Sequence, residues 1–223
     1  MTENEIRELL ISYLSKKHLD EENIAFIKEI FIDNFKCRVD LVLANGCAVA
    51  FEIKSALDTL IRLPTQLESL VNHFDEIVVV CAQKHLNHVL DMVDDSIGVL
   101  LIKEDGCFRI IKKAKRRKIT KEQWLSHLPV DELKKFLREH SLPRNGDREL
   151  LVNMALKGSL SDIRLYVIEY FKRREKRILA IKEKKRLVTL NQPFNDADED
   201  VRKFLASIDT SNHLRAIPRQ IHR

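Results

Sequence analysis

The stretch Arg38-Val39-Asp40-Leu41-Val42-Leu43-Ala44-Asn45-Gly46-Cys47-Ala48-Val49-Ala50-Phe51-Glu52-Ile53-Lys54 decides the fold. An Asn-Gly pair between two apolar runs is a strong hairpin signal, because both residues tolerate the positive φ of a tight turn. It predicts antiparallel strands over 38–44 and 48–54. Successive side chains on a strand face opposite ways, so Glu52 and Lys54 share one face while Phe51 and Ile53 share the other. The turn folds Asp40 back toward Glu52. Burying two carboxylates and an ammonium together is costly unless something compensates them. A divalent cation does so, and Mg²⁺ needs only one or two carboxylates because it keeps several waters. The bare spacing is equally served by a Glu52–Lys54 ion pair that only packs.

Outward from the hairpin, helical spacing over 4–16 follows a Thr2 cap, and 23–32 reads as a strand. Then come a helix near 57–73, a strand 76–82, a helix 84–93 and a strand 98–103. The order αβββαβ, with additions, predicts an α/β protein with a mixed sheet. Pro64 is incompatible with a helix interior, so it marks the first turn and leaves the preceding stretch as an extended arm.

The run Ser55-Ala56-Leu57-Asp58-Thr59-Leu60-Ile61-Arg62-Leu63-Pro64-Thr65-Gln66 follows the Glu-Ile-Lys strand directly. Taken with that strand, it resembles the signature of the PD-(D/E)XK nuclease superfamily, and more narrowly a bacterial and phage-borne branch reading EIKS-x-x-DTL-x-RLP-x-Q. Phe74-Asp75 and the apolar Ile77–Val80 continue the likeness, which spans roughly residues 4–103. The resemblance implies the restriction-endonuclease-like mixed-sheet core. It implies that Asp40 and Glu52 hold Mg²⁺ or Mn²⁺, with the backbone carbonyl of Ile53 as a third protein ligand. Lys54 would orient the attacking water, Gln66 would position the lysine or the water, and Glu29 matches an upstream acidic position. Glu5 or Glu8 on the first helix is the alternative source of that extra acid. The first motif reads Val39-Asp40 where the family pattern has Pro-Asp.

Charge divides the chain. Residues 1–104 hold 10 Lys and Arg against 18 Asp and Glu, residues 105–186 hold 24 against 11, and the rest balance, giving +5 over 223 residues. The acidic part suits a carboxylate-built cation site, and the basic part suits a polyanion. A 44% apolar content is enough for a core. No run approaches the ~20 apolar residues that span a bilayer, so no membrane partner is expected. The N-terminus lacks a secretory pattern, which predicts a cytoplasmic protein. Four cysteines without CxxC spacing predict reduced thiols.

Residues 133–151 read as helix, tight turn, helix, with apolar Leu133, Phe136, Leu137, Leu142 and Leu151. The segment Leu142-Pro143-Arg144-Asn145-Gly146-Asp147-Arg148-Glu149-Leu150-Leu151 resembles the SAP module, a small DNA-binding helical unit, with Ser141 standing where that family often has glycine. The resemblance implies phosphate contacts by Arg144 and Arg148, with Lys134, Lys135 and Arg138 beside them. A plain helical hairpin packed on the core is the alternative. The run Lys112–Lys118, with Arg116 and Arg117, links the two parts or tracks a nucleic-acid backbone. His85 and His88 have helical i, i+3 spacing with no third metal ligand nearby. Residues 163–187 read as a long basic helix.

The expected domains are a nuclease-like 1–112, a basic linker 113–126, a helical nucleic-acid-binding 127–187 and a polar tail 188–223. The resemblance implies a metal-dependent deoxyribonuclease, compatible with pairing of two copies. The few aromatics of the basic region (Trp124, Phe136, Tyr166, Tyr170 and Phe171), which offer little stacking platform for single strands, slightly favour duplex or branched DNA. The alternatives are a non-catalytic DNA-binding or scaffold protein on the same fold, and a ribonuclease.

Overall fold

The computed structural model describes residues 1–18, 24–32 and 36–191, with side chains through residue 184. The expected polar tail beyond Asn191 lies outside them. The chain divides into two units, Met1–Leu179 and Ala180–Arg223.

The first unit is built on a six-stranded sheet in sequential order: β1 (Ala25–Ile32), β2 (Cys37–Ala44), β3 (Ala48–Lys54), β4 (Glu76–Ala82), β5 (Gly98–Ile102) and β6 (Phe108–Lys112). The first three strands form an antiparallel meander, β3–β4–β5 run parallel, and β6 returns antiparallel, so the sheet is mixed. The hairpin stands where Asn45-Gly46 puts it, with Gly46 at φ +100°. The sequence reading ends the sheet at residue 103; β6 extends it by an edge strand.

Parallel neighbours need crossovers, supplied by α2 (Leu63–Val71) and by a short 3₁₀ turn leading into α3 (Leu86–Met92). Pro64 sits in the first turn of α2, where its missing N–H costs nothing. The arm before it, Ser55–Arg62, is a loop. The first helix, α1 (Glu3–Lys17), begins with a capping box in which the Thr2 hydroxyl accepts from the Glu5 N–H and the Glu5 carboxylate accepts from the Thr2 N–H.

Strand parity sorts the core into two layers. On one face Ile6, Leu10 and Leu14 of α1 meet Leu41, Leu43, Phe51, Ile53 and Val80. On the other, Val42, Ala50, Val79 and Val99 meet α2 and the C-terminal helices. These are α4 (Lys121–Ser126), α5 (Val130–Glu139), α6 (Arg148–Ala155) and α7 (Leu160–Asn191), whose buried Trp124, Leu133, Phe136, Leu151, Val167 and Phe171 share that core.

Residues 113–118, the first part of the expected linker 113–126, are held by hydrogen bonds. Lys115 N–H donates to Ser96 O at 2.8 Å and Arg117 N–H to Asp75 O at 2.7 Å. A Cβ on Gly98 would lie 2.8 Å from Ala114 N. The Phe74-Asp75 pair is structural: Phe74 is in the core, and Asp75 accepts from the Ala48 N–H at 2.9 Å and from Arg164 at 3.2 Å. It clamps the hairpin to α7.

The α5–α6 corner shows why Ser141 is tolerated at a glycine position. Its φ is +55°, and the chain closes with Leu142 N–H to Leu137 O and Ser141 N–H to Arg138 O. That hydrogen-bond pair is a Schellman motif, whose C′ residue is left-handed and usually glycine.

Candidate cation site

β2 and β3 pair as far as Leu41 and Phe51; one residue further on they carry Asp40 and Glu52. Beyond the pairing Asp40 is free to turn inward, and its Oδ2 accepts the Ile53 N–H at 2.7 Å. Glu52 Oε1 accepts from Lys54 Nζ at 2.7 Å, and the same ammonium donates to Gln66 Oε1 at 2.8 Å. Asp40, Glu52 and Lys54 are each at most 5% exposed. They line a cleft of about 630 Å³ with Ile53, Gln66, Glu3, Lys36, Arg38, Asp58 and Arg62.

The electrostatics of this cleft are unbalanced. Glu52 Oε2 is buried with no hydrogen-bond partner, one of two such side-chain atoms among the described residues. Burial, reinforced by the Glu52 charge, pushes the Asp40 carboxyl up to about 7. Burial also raises Glu52, against the pull of Lys54 and, more weakly, of the Gln66 side chain. One ammonium therefore faces two desolvated carboxylates, with the charge of Glu3 adding to both.

The residues present fit a hard divalent cation. The unpartnered Glu52 oxygen and the Asp40 carboxylate are the right donors, and two carboxylates suffice for Mg²⁺. No group of three or more His, Cys, Asp and Glu gathers among the described residues.

Glu29 is not brought in. The register of β1 and β2 sets it opposite Asp40, but its φ of +52° inverts the backbone, and its carboxylate lies 3.3 Å from both Arg7 and Arg38. Glu5 is spent on the cap of α1 and Glu8 on Lys28. The acid that does reach the cleft is Glu3, which also accepts from Arg7 at 2.9 Å. Helical spacing accounts for the Glu3–Arg7 pair, i, i+4 partners on one face, but not for the approach of Glu3 to the cleft. Arg38 and Arg62, cationic and exposed at the cleft, carry no sequence signal of their own beyond their place beside Asp40 and Pro64. His85 Nε2 hydrogen-bonds Ser55 O at 3.1 Å and so holds the loop.

The expected nucleic-acid contacts fall into two groups. Lys134 and Arg138, one turn apart on α5, and Arg144 in the following loop are exposed with no side-chain hydrogen bond or ion pair among the described residues. The others are engaged. Arg148 donates to Leu128 O at 2.6 Å, Lys135 pairs with Glu132 at 2.6 Å, Arg117 with Asp94 at 3.7 Å and Arg116 with Asp75 at 3.8 Å.

A family model described as Bacteriophage P4 protein cII matches residues 1–192. Protein cII of Enterobacteria phage P4 is 33% identical over 180 residues, covering 78% of this chain and 68% of that relative. No solved structure matches. These matches correct the resemblances to the PD-(D/E)XK superfamily and the SAP module, and with them the expectation of a metal-dependent deoxyribonuclease or other phosphodiester hydrolase: nothing among them indicates a nuclease. Local identity over EIKS to RLP-x-Q and a two-strand acidic site is too little sequence to outweigh a match along most of the chain. Among the described residues no helix is long and apolar enough to cross a membrane.

Proposed function

Since this chain belongs to the bacteriophage P4 protein cII family, we propose that it works by binding DNA in a regulatory role, with a divalent cation in the Asp40–Glu52 cleft as part of the contact. The observation that carries the reading is the buried, unpartnered Glu52 Oε2 beside a carboxyl whose ionisation burial opposes. Such an arrangement is costly by itself and is relieved by a cation. Asp40 and Glu52 hold the ion, with the Ile53 carbonyl as a further donor, while Lys54 and Gln66 fix the Glu52 rotamer. Bound Mg²⁺ or Mn²⁺ neutralises the two acids and offers its remaining positions to phosphate oxygens. Arg62 and Arg38 at the cleft, and Lys134, Arg138 and Arg144 on the basic part, supply charge of the sign that a phosphate backbone requires. No turnover is assigned to the site, and its setting is the cytoplasm, where DNA is within reach.

Fluorescence anisotropy of a labelled duplex tests this, with wild type and Glu52→Gln in Mg²⁺ or EDTA. Binding by wild type should weaken at least several-fold in EDTA, while the variant should be indifferent to the metal. Binding that ignores Mg²⁺ in both proteins would remove the cation from the reading; no binding would remove DNA.

A further inference from the structure

The loop Ser55–Arg62 beside the cleft carries the two most exposed large hydrophobic side chains of the described residues, Leu57 at 77% and Ile61 at 84%. Exposure at a slack loop would mean little, but this loop is held from beneath. Ser55 N–H and Oγ both donate to Asp58 Oδ2, at 2.7 and 2.6 Å, and the Asp58 N–H returns to Ser55 O at 3.2 Å. Leu57 N–H donates to Ser55 Oγ at 3.2 Å, and His85 holds Ser55 O. Leu60 packs into the core, and the Leu63 N–H closes on Leu60 O at 3.0 Å, so Ile61 sits on a tight turn. Leu57 and Ile61 are thus pushed outward by a fixed backbone while Leu60, between them, points inward.

The surroundings select the occupant. Asp58 and Arg62, which alternate with the apolar pair along the loop, line the cation cleft, as do Lys36 and Arg38. An apolar contact framed by arginines and a cation site matches a polyanion with an apolar interior. Two side chains are also far short of the ~800 Å² per partner that a stable protein–protein interface buries. Proteins that bend duplex DNA insert Leu, Ile, Phe or Met between base steps, and the unstacking is repaid by wider backbone contact.

We propose that Leu57 and Ile61 form an apolar wedge that enters a base step of duplex DNA next to the phosphate engaged at the Asp40–Glu52 cleft. This rests on the DNA-binding reading given above. The wedge gives the protein a preference for easily unstacked pyrimidine–purine steps that no hydrogen bond to a base edge would supply.

The test uses full-length protein and duplexes carrying 2-aminopurine at successive positions, in Mg²⁺, with wild type, the double variant L57A/I61A, and L57M/I61M as the conservative control. Thermal melts should coincide for the three, since both side chains face solvent. Wild type should raise 2-aminopurine emission at saturation by several-fold at one position. The alanine variant should lose that rise and bind about ten-fold more weakly, and the methionine variant should restore both. Undiminished binding by the alanine variant, with flat emission in all three proteins, would overturn the wedge and leave DNA binding standing. Failure of wild type to bind any duplex would overturn both. Loss of self-association in the alanine variant, by sedimentation, with DNA binding unchanged, would assign the pair to a contact between copies and overturn the wedge.

Discussion

At the open end of β2 and β3, two buried carboxylates lie beside one ammonium that hydrogen-bonds Glu52 and Gln66, and one Glu52 oxygen has no hydrogen-bond partner. Elsewhere in the first unit, His127 is half-buried but fully accommodated. Its ring lies 5.1–5.6 Å from those of His73, Phe74 and Phe171, and its Nε2 hydrogen-bonds His73 O at 2.8 Å. Glu132 nearby is likewise satisfied, accepting from Tyr166, Lys135 and Arg173. Both regions bury polar groups, yet only the first leaves its charge unmatched. A polar group that serves stability is paired within the chain; one kept unpaired in a cleft is available to something from outside.

The largest effect should come from removing an aromatic from the satisfied layer. Phe171→Ala or Trp124→Ala deletes a fully buried ring and should cost about 3–5 kcal/mol in urea unfolding. A cost below 1 kcal/mol would deny that the helices and the sheet share one core.

The two regions should also answer pH with opposite signs. Burial depresses His127 from about 6.5 to about 4. Above 6.5 the ring is neutral whether folded or unfolded. Below it the unfolded chain takes up the proton first, so stability falls between pH 6.5 and 4, by up to about 3 kcal/mol. His127→Gln, which keeps a donor for His73 O, should flatten that limb of a stability-against-pH curve.

At the cleft the folded carboxyl is raised instead, so holding Asp40 ionised is a burden that grows as pH rises from about 4 through about 7. Asp40→Asn should therefore stabilise the protein by about 1–2 kcal/mol at pH 8, with the gain gone near pH 4. A destabilised variant at pH 8 would mean that the cleft is as self-sufficient as the His127 layer. The smallest effect is expected at the α5–α6 corner, where Ser141→Gly should gain up to about 1 kcal/mol by relieving a left-handed serine. Chemical denaturation resolves that difference, and no gain would mean the corner relaxes without strain.

Much of this contrast is visible in the sequence, for reasons that differ by residue. Strand parity and the Asn-Gly turn bring Asp40, Glu52 and Lys54 together, and the position of Pro64 starts α2 where Gln66 can reach Lys54. Glu29 misleads because its register opposite Asp40 is right, while a single positive φ, to which periodicity is blind, turns its carboxylate onto Arg7 and Arg38. Glu3 is missed because its approach to the cleft depends on how α1 crosses the sheet. His127 carries no local signal at all: its partners come from residues 73, 74 and 171, and only folding assembles them. The function implied by the short motif fails for a different reason. Four side chains fix a chemistry of charge and hydrogen bonds, but the family assignment rests on similarity along most of the chain.

We propose that the unmatched charge at Asp40 and Glu52 is reserved for a cation. Electron paramagnetic resonance of Mn²⁺ titrated into wild type and Glu52→Gln at pH 8 tests it without DNA or any assay of activity. Loss of the free-ion signal to about one bound Mn²⁺ per wild-type chain, with at least ten-fold weaker uptake by the variant, is the predicted result. Equal uptake by the two proteins, or none by wild type, would contradict it.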